Sequence, residues 1–150
     1  MKTVFLTLVT VLAFNLGNAQ CEVKSTTDIS GETHDRIYTG AIRAGIAFHR
    51  FTLKNGDVNT YIDLATQSTY LTSAPDDVTL YFEDGSSLHL TEEVDYDSGS
   101  GSYWNYSSFF RLTPSLKAKL LKTPLIGFEL YIFEQLVDGE KVIAALNCLN

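Results

Sequence analysis

The chain has 150 residues, 45% of them hydrophobic, and carries 18 acidic side chains against 11 Lys and Arg, for a formal net charge of −7. One domain with its own core fits that length and two hardly do. A surface this acidic repels phosphate backbones and anionic lipid, which argues against nucleic acid as a partner and against membrane insertion.

The first twenty residues predict a compartment. Lys2 gives a positive start, Val4 to Leu16 is nearly uncharged and mostly apolar, and Gly17-Asn18-Ala19 places small residues before a cut after Ala19. The apolar run has the length of a signal-peptide core and falls short of the roughly 20 residues of a membrane span. The expectation is a signal peptide over 1–19, a single β-rich domain over 20–150, and a periplasmic or secreted product. Gln20 precedes Cys21 where a lipoprotein peptidase prefers a small residue, so lipidation of Cys21 is not expected.

Cys21 and Cys148 are the two cysteines, one near each end of the mature chain. In an oxidising compartment an even count suggests a bridge, and two cysteines allow one intramolecular pairing. Chain entropy alone gives such a long loop about 5 kcal/mol as an upper figure. The alternative is a pair of separate thiols, Cys148 in the core and Cys21 on a frayed end.

Residues 22–35 are polar and read as a leader or a short edge strand. From Ile37 the pattern is β-like, with aromatic and β-branched residues broken by Asn-Gly and Asp-Gly pairs. In "VTLYFEDGSSLHL", residues 78–90, a three-residue Glu83-Asp84-Gly85 loop pairs Leu80 with Leu88 and Val78 with Leu90. All the apolar side chains then share a face, and Thr79, Tyr81, Ser87 and His89 point away from it. In "FTLKNGDVNTYIDL", residues 51–64, a two-residue Asn55-Gly56 turn pairs Leu53 with Val58. That register puts Phe51, Leu53, Val58 and Ile62 on one face. A polar connection, 65–77, joins the two hairpins.

Residues 91–102 are acidic and then Gly/Ser-rich and read as a mobile loop. "YWNYSSFFRL" follows as a strand with Trp104, Tyr106, Phe110 and Leu112 on one parity, a core face, and Tyr103 as the outward exception and candidate ligand contact. "TPSLKAKLLKTP" is the clearest helix, with Thr113 as cap, Pro114 at the first position and a stop at Pro124. "LIGFELYIFEQL" reads as one strand. The tail "DGEKVIAALNCLN" has helical spacing at Val142, Leu146 and Leu149, with a last strand as the alternative. The predicted class is α+β, mostly antiparallel β hairpins with one or two short helices.

Templates for chemistry find no match. Glu93, Asp95 and Asp97 alternate, but an EF-hand begun at Asp95 meets Gly99 and Ser100 where it needs a ligand and a glycine. His34, His49 and His89 form no zinc spacing, so surface histidines are expected, His89 beside Thr79. No Gly-x-Ser-x-Gly elbow or phosphate loop is present, and no two acids select themselves for glycoside hydrolysis. Neither a catalytic residue, a cofactor nor a metal is called for.

The "NAQ" start, "TYIDL", "VTLYFEDGSSLHL", the aromatic strand running into "LTPSLKAKLL", and "FELYIF" before a late cysteine resemble small exported proteins of unknown function of Bacteroidetes-type bacteria. The resemblance covers roughly residues 56–148. It implies an exported β-rich domain and carries over no catalytic residue. The reading that follows is an exported non-enzymatic binding module for a glycan or a protein. A small secreted hydrolase is the alternative. Converging Asp and His side chains at a pocket would favour the enzyme, and an exposed aromatic patch would favour binding.

Overall fold

The structure, a computed structural model, describes residues 22–40, 44–73, 76–99 and 101–149. The signal-peptide reading of 1–19 and the position of Cys21 lie outside them. In chain order the strands are β1 (Lys24–Thr27), β2 (Thr33–Tyr38), β3 (Gly45–Thr52), β4 (Val58–Ser68), β5 (Val78–Phe82), β6 (Ser87–Leu90), β7 (Asp95–Ser98) and β8 (Trp104–Arg111). Helix α1 (Pro114–Lys122), β9 (Leu125–Leu130), β10 (Phe133–Leu136) and helix α2 (Gly139–Cys148) complete them. The fold is α+β, as the hairpin-rich sequence implies.

Two antiparallel sheets form, one of six strands in the order β1-β2-β3-β4-β8-β7 and one of four in the order β10-β9-β5-β6. Their apolar faces meet. Ile46, Phe48, Ile62, Leu64, Tyr106 and Phe110 of the larger sheet share one core cluster with Val78, Leu80, Phe82, Phe128 and Leu130 of the smaller. Each such side chain removed from water contributes roughly 1.5–3 kcal/mol before entropy is subtracted. Helix α2 packs against β3 and β9, and α1 against α2, so both helices lie on the core side of the large sheet. Its other face has no element laid over it among the described residues.

Local chemistry explains most boundaries. The Thr113 hydroxyl accepts from the Leu116 amide at 3.3 Å, and Pro114 opens α1. Asp138 caps α2 through the Lys141 amide at 3.2 Å, which settles the ambiguous tail as a helix. The β5–β6 hairpin has the predicted register, Val78 opposite Leu90 and Leu80 opposite Leu88, with Gly85 at φ 78°.

The β3–β4 hairpin does not have its predicted register. Thr52 lies opposite Val58 and Phe51 opposite Asn59, and the Gly56 amide donates to the Leu53 carbonyl. The loop is therefore Lys54-Asn55-Gly56, with Gly56 at φ 86°, where a two-residue turn was expected. A slip of one residue exchanges the faces of a strand. Phe48 and Ile62 pair in the core, and Phe51 and Leu53 go to the opposite face. The pairing of four strands across the large sheet outweighs the local preference of Asn-Gly.

Three further expectations change. The connection after β4 is shorter than predicted, because residues 65–68 extend β4 and pair with β8. The acidic stretch is not a loop throughout: β7 pairs with β8, Asn105 donates to Asp97 at 2.7 Å, and Val94 is buried. "LIGFELYIFEQL" is two strands, turning at Tyr131 (φ 60°) and pairing Leu130 with Phe133.

Candidate functional site

The uncovered face of the six-stranded sheet gathers the most distinctive side chains. Strand alternation sends His34, Arg36 and Tyr38 of β2 to that face, with His49 and Phe51 of β3, Asn59, Tyr61 and Asp63 of β4, and Phe109 and Arg111 of β8. Cross-strand pairing sets them in rows, one of which runs Arg36–His49–Tyr61–Arg111 across four strands.

The rings form one continuous cluster. His34 stacks on Phe51 with centroids 4.2 Å apart, and Tyr61 stacks on Phe109 at 5.0 Å. Edge contacts of Phe51 with Tyr61 and of His49 with Phe109, at 5.6 and 5.2 Å, join the two stacks. Phe109 is nevertheless 51% exposed. A cavity of about 330 Å³ opens here, lined by Phe51, Leu53, Asn59, Tyr61 and Phe109. Asn59 accepts a hydrogen bond from the Arg111 guanidinium at 2.9 Å, so the apolar cup has an amide and a guanidinium at its edge.

A polar chain runs alongside. His34 Nε2 and His49 Nδ1 lie 2.9 Å apart, and Arg36 Nε donates to the same His49 Nδ1 at 3.4 Å. Because Arg36 can only donate, His49 Nδ1 is the acceptor and the proton of the neutral ring sits on Nε2. His49 Nε2 is buried without a hydrogen-bond partner among the described residues, and Asp63 Oδ2 is 3.5 Å away. His34 then donates from its own Nε2, leaving Nδ1 as its acceptor. Burial first, then the neighbouring His49 and Arg36, push His34 below the ordinary imidazole value, with Asp35 pulling the other way.

The residues singled out from sequence fall elsewhere. Tyr103 is 51% exposed just before β8 and stands outside the ring cluster. His89 is on the outer face of the small sheet, its Nδ1 3.3 Å from the Thr79 hydroxyl as expected and 3.2 Å from Asp77. His49 departs from the surface expectation, being 3% exposed. Cys148 is half-buried against the core at the end of α2, and among the described residues no cysteine is a free thiol. Glu93, Asp95 and Asp97 form no cation cradle, since among the described residues no three His, Cys, Asp or Glu side chains are arranged to hold a metal ion.

Phe51, Tyr61, Asp63, Phe109 and the two histidines were missed as a group. The parity that buries Phe110 does send Phe109 outward, so part of the signal was present. The rest depended on the β3–β4 register, which the Asn-Gly preference misassigned. Among the described residues no helix is long and apolar enough to cross a membrane. Comparison with protein-family models, with characterised proteins and with solved structures finds no match to the chain.

Proposed function

We propose that the protein is an exported, non-enzymatic binding module that holds a glycan on the uncovered face of its six-stranded sheet. The observation that carries this reading is the aromatic cavity between Phe51, Tyr61 and Phe109, open on a face that nothing in the described chain covers. Apolar ring surface beside a fixed amide and guanidinium suits a sugar, which offers C–H faces and hydroxyl edges together. Soluble polysaccharides run through native gels with the protein, followed by calorimetry on defined oligosaccharides, test it. Retarded migration that Phe109→Ala abolishes, with an unchanged melting midpoint, is the expected result; no retardation with any glycan sinks the reading.

Export is part of the proposal. It rests on the N-terminal pattern and on the resemblance to exported proteins. The mature product begins at Gln20 and pairs Cys21 with Cys148. Arg50 supports this pairing, because it binds the Leu149 carbonyl at 2.9 Å and Asp35 at 2.7 Å. Asp35 in turn lies opposite Ser25 of β1, so the end of α2 is held close to the start of the described chain.

A second reading, a small secreted hydrolase, is favoured by the His34–His49–Asp63 chain beside the cavity. Turnover of chromogenic esters or glycosides, lost in His49→Ala and His34→Ala alike, would establish it over simple binding.

A further inference from the structure

We infer that the glycan is an acidic one, a uronate oligomer whose carboxylates meet Arg36 and Arg111 at the two ends of the aromatic row. This deepens the glycan reading above and rests on it. The row Arg36–His49–Tyr61–Arg111 crosses four adjacent strands, so its terminal Cα atoms are about 15 Å apart at the usual strand spacing. A cation thus stands at each end of a strip whose middle is imidazole and phenol.

The charges on this strip run against the composition of the chain. Acids outnumber Lys and Arg by 18 to 11, yet neither arginine of the row has a carboxylate partner among the described residues. Arg36 is held by the Tyr38 hydroxyl at 2.8 Å and by His49 Nδ1, and Arg111 by the Asn59 amide, none of them a carboxylate. These contacts aim the two guanidinium groups without neutralising them. The carboxylate beside the row, Asp63, faces the His49 Nε2 proton. An anion arriving at either end gains a charge-assisted hydrogen bond and displaces no existing ion pair, and a planar guanidinium matches a carboxylate edge to edge.

His34 adds a pH dependence to the same surface. The charged or titratable groups around it are Arg36 and Asp35 on its own strand, Lys24 on β1, which lies opposite Arg36 and over the Tyr38 ring, His49 on β3, and Asp63 beyond it on β4. At neutral pH the ring is uncharged and packs on Phe51. Once protonated at Nδ1 it keeps its Nε2 donation to His49, so the added charge appears beside Phe51 with the network intact. Uronate carboxylates remain ionised over that range, since ordinary carboxylic acids titrate near pH 4.

Calorimetry with galacturonate oligomers and with neutral glucose oligomers of equal length separates the outcomes. Galacturonate should bind about tenfold more tightly, the equivalent of one good charge-assisted contact. Arg36→Gln and Arg111→Gln should each cut that preference to about threefold, and the double variant should abolish it. Galacturonate affinity should rise from pH 7.5 to 5.5 in the wild type and stay flat in His34→Gln, with circular dichroism confirming each fold. Equal affinity for acidic and neutral oligomers, both sensitive to Phe109→Ala, would overturn the acidic assignment and spare the glycan reading. Binding of neither oligomer would overturn the acidic assignment, and the glycan reading would fall with it once no polysaccharide retards the protein in native gels.

Discussion

His34 Nε2 and His49 Nδ1 stand 2.9 Å apart on adjacent strands, with Arg36 donating to the same His49 nitrogen. The tautomers follow from that geometry: both rings carry their proton on Nε2. Nitrogen-detected NMR at pH 7.5 should show this pattern, and a His49 protonated on Nδ1 would contradict the arrangement. His34 is pushed below the ordinary value of 6.5, so the unfolded chain takes up the proton before the folded one does. Its contribution is therefore neutral above about pH 6.5, turns against the fold as pH drops from there toward the lower folded value, and levels off below it. Urea midpoints should fall between pH 7.5 and 5.5 in the wild type and fall less in His34→Gln.

Arg50 joins residues distant in sequence, donating twice to Asp35 Oδ2 and once to the Leu149 carbonyl. Asp35 is buried, and the Ser25 hydroxyl and Arg50 hold its carboxyl below the usual aspartate range. Arg50→Met strands that carboxylate and should cost about 3 kcal/mol. Adding Asp35→Asn should recover part of the loss, and a strictly additive double mutant would show the pair uncoupled. The carboxylate's folded pKa is depressed, so its contribution is present above pH 3.8 and is lost as pH falls through the folded value.

Gly85 closes the β5–β6 loop at φ 78°, and a Cβ there would meet nothing within 4 Å. The cost of a side chain is thus purely conformational. Gly85→Val should lower stability by more than about 1 kcal/mol, and Thr79→Ala on the outer face by well under that. Gly139 is the contrasting case, because its Cβ would lie 2.8 Å from the Leu125 carbonyl oxygen and from Pro124 Cβ. Gly139→Ala should be destabilising through contact alone, although Ala is otherwise favoured in a helix. Denaturant melts of the three variants check the order.

The proposed Cys21–Cys148 bridge makes a separate prediction. Unreduced exported protein should weigh about 2 Da less than reduced protein and show no thiol to a denaturing titration. Cys21→Ser should lower stability by about 2–4 kcal/mol, chiefly through the denatured chain. Two free thiols in fresh material would end the proposal.

Much of this molecule was legible in one dimension because the deciding interactions are local. The Thr113 cap, Pro114 and the apolar stripe of α1 act within a few residues of each other. So do Asp84, Gly85 and the alternating apolar residues of the β5–β6 hairpin, where turn geometry and core pattern agree. At Asn55-Gly56 they disagree. A local turn preference worth little was set against the burial of Phe48, Ile46, Ile62 and Leu64 between two sheets, and burial prevailed. That choice turned Phe51 outward and completed the ring cluster with His34, Tyr61 and Phe109. Each of those residues reads individually as an ordinary strand residue. Only the pairing of β2, β3, β4 and β8, strands drawn from residues 33 to 111, places Arg36, His49, Tyr61 and Arg111 in a single row. Strand order is set by which faces can be buried together across the whole chain, and no window of sequence contains that sum.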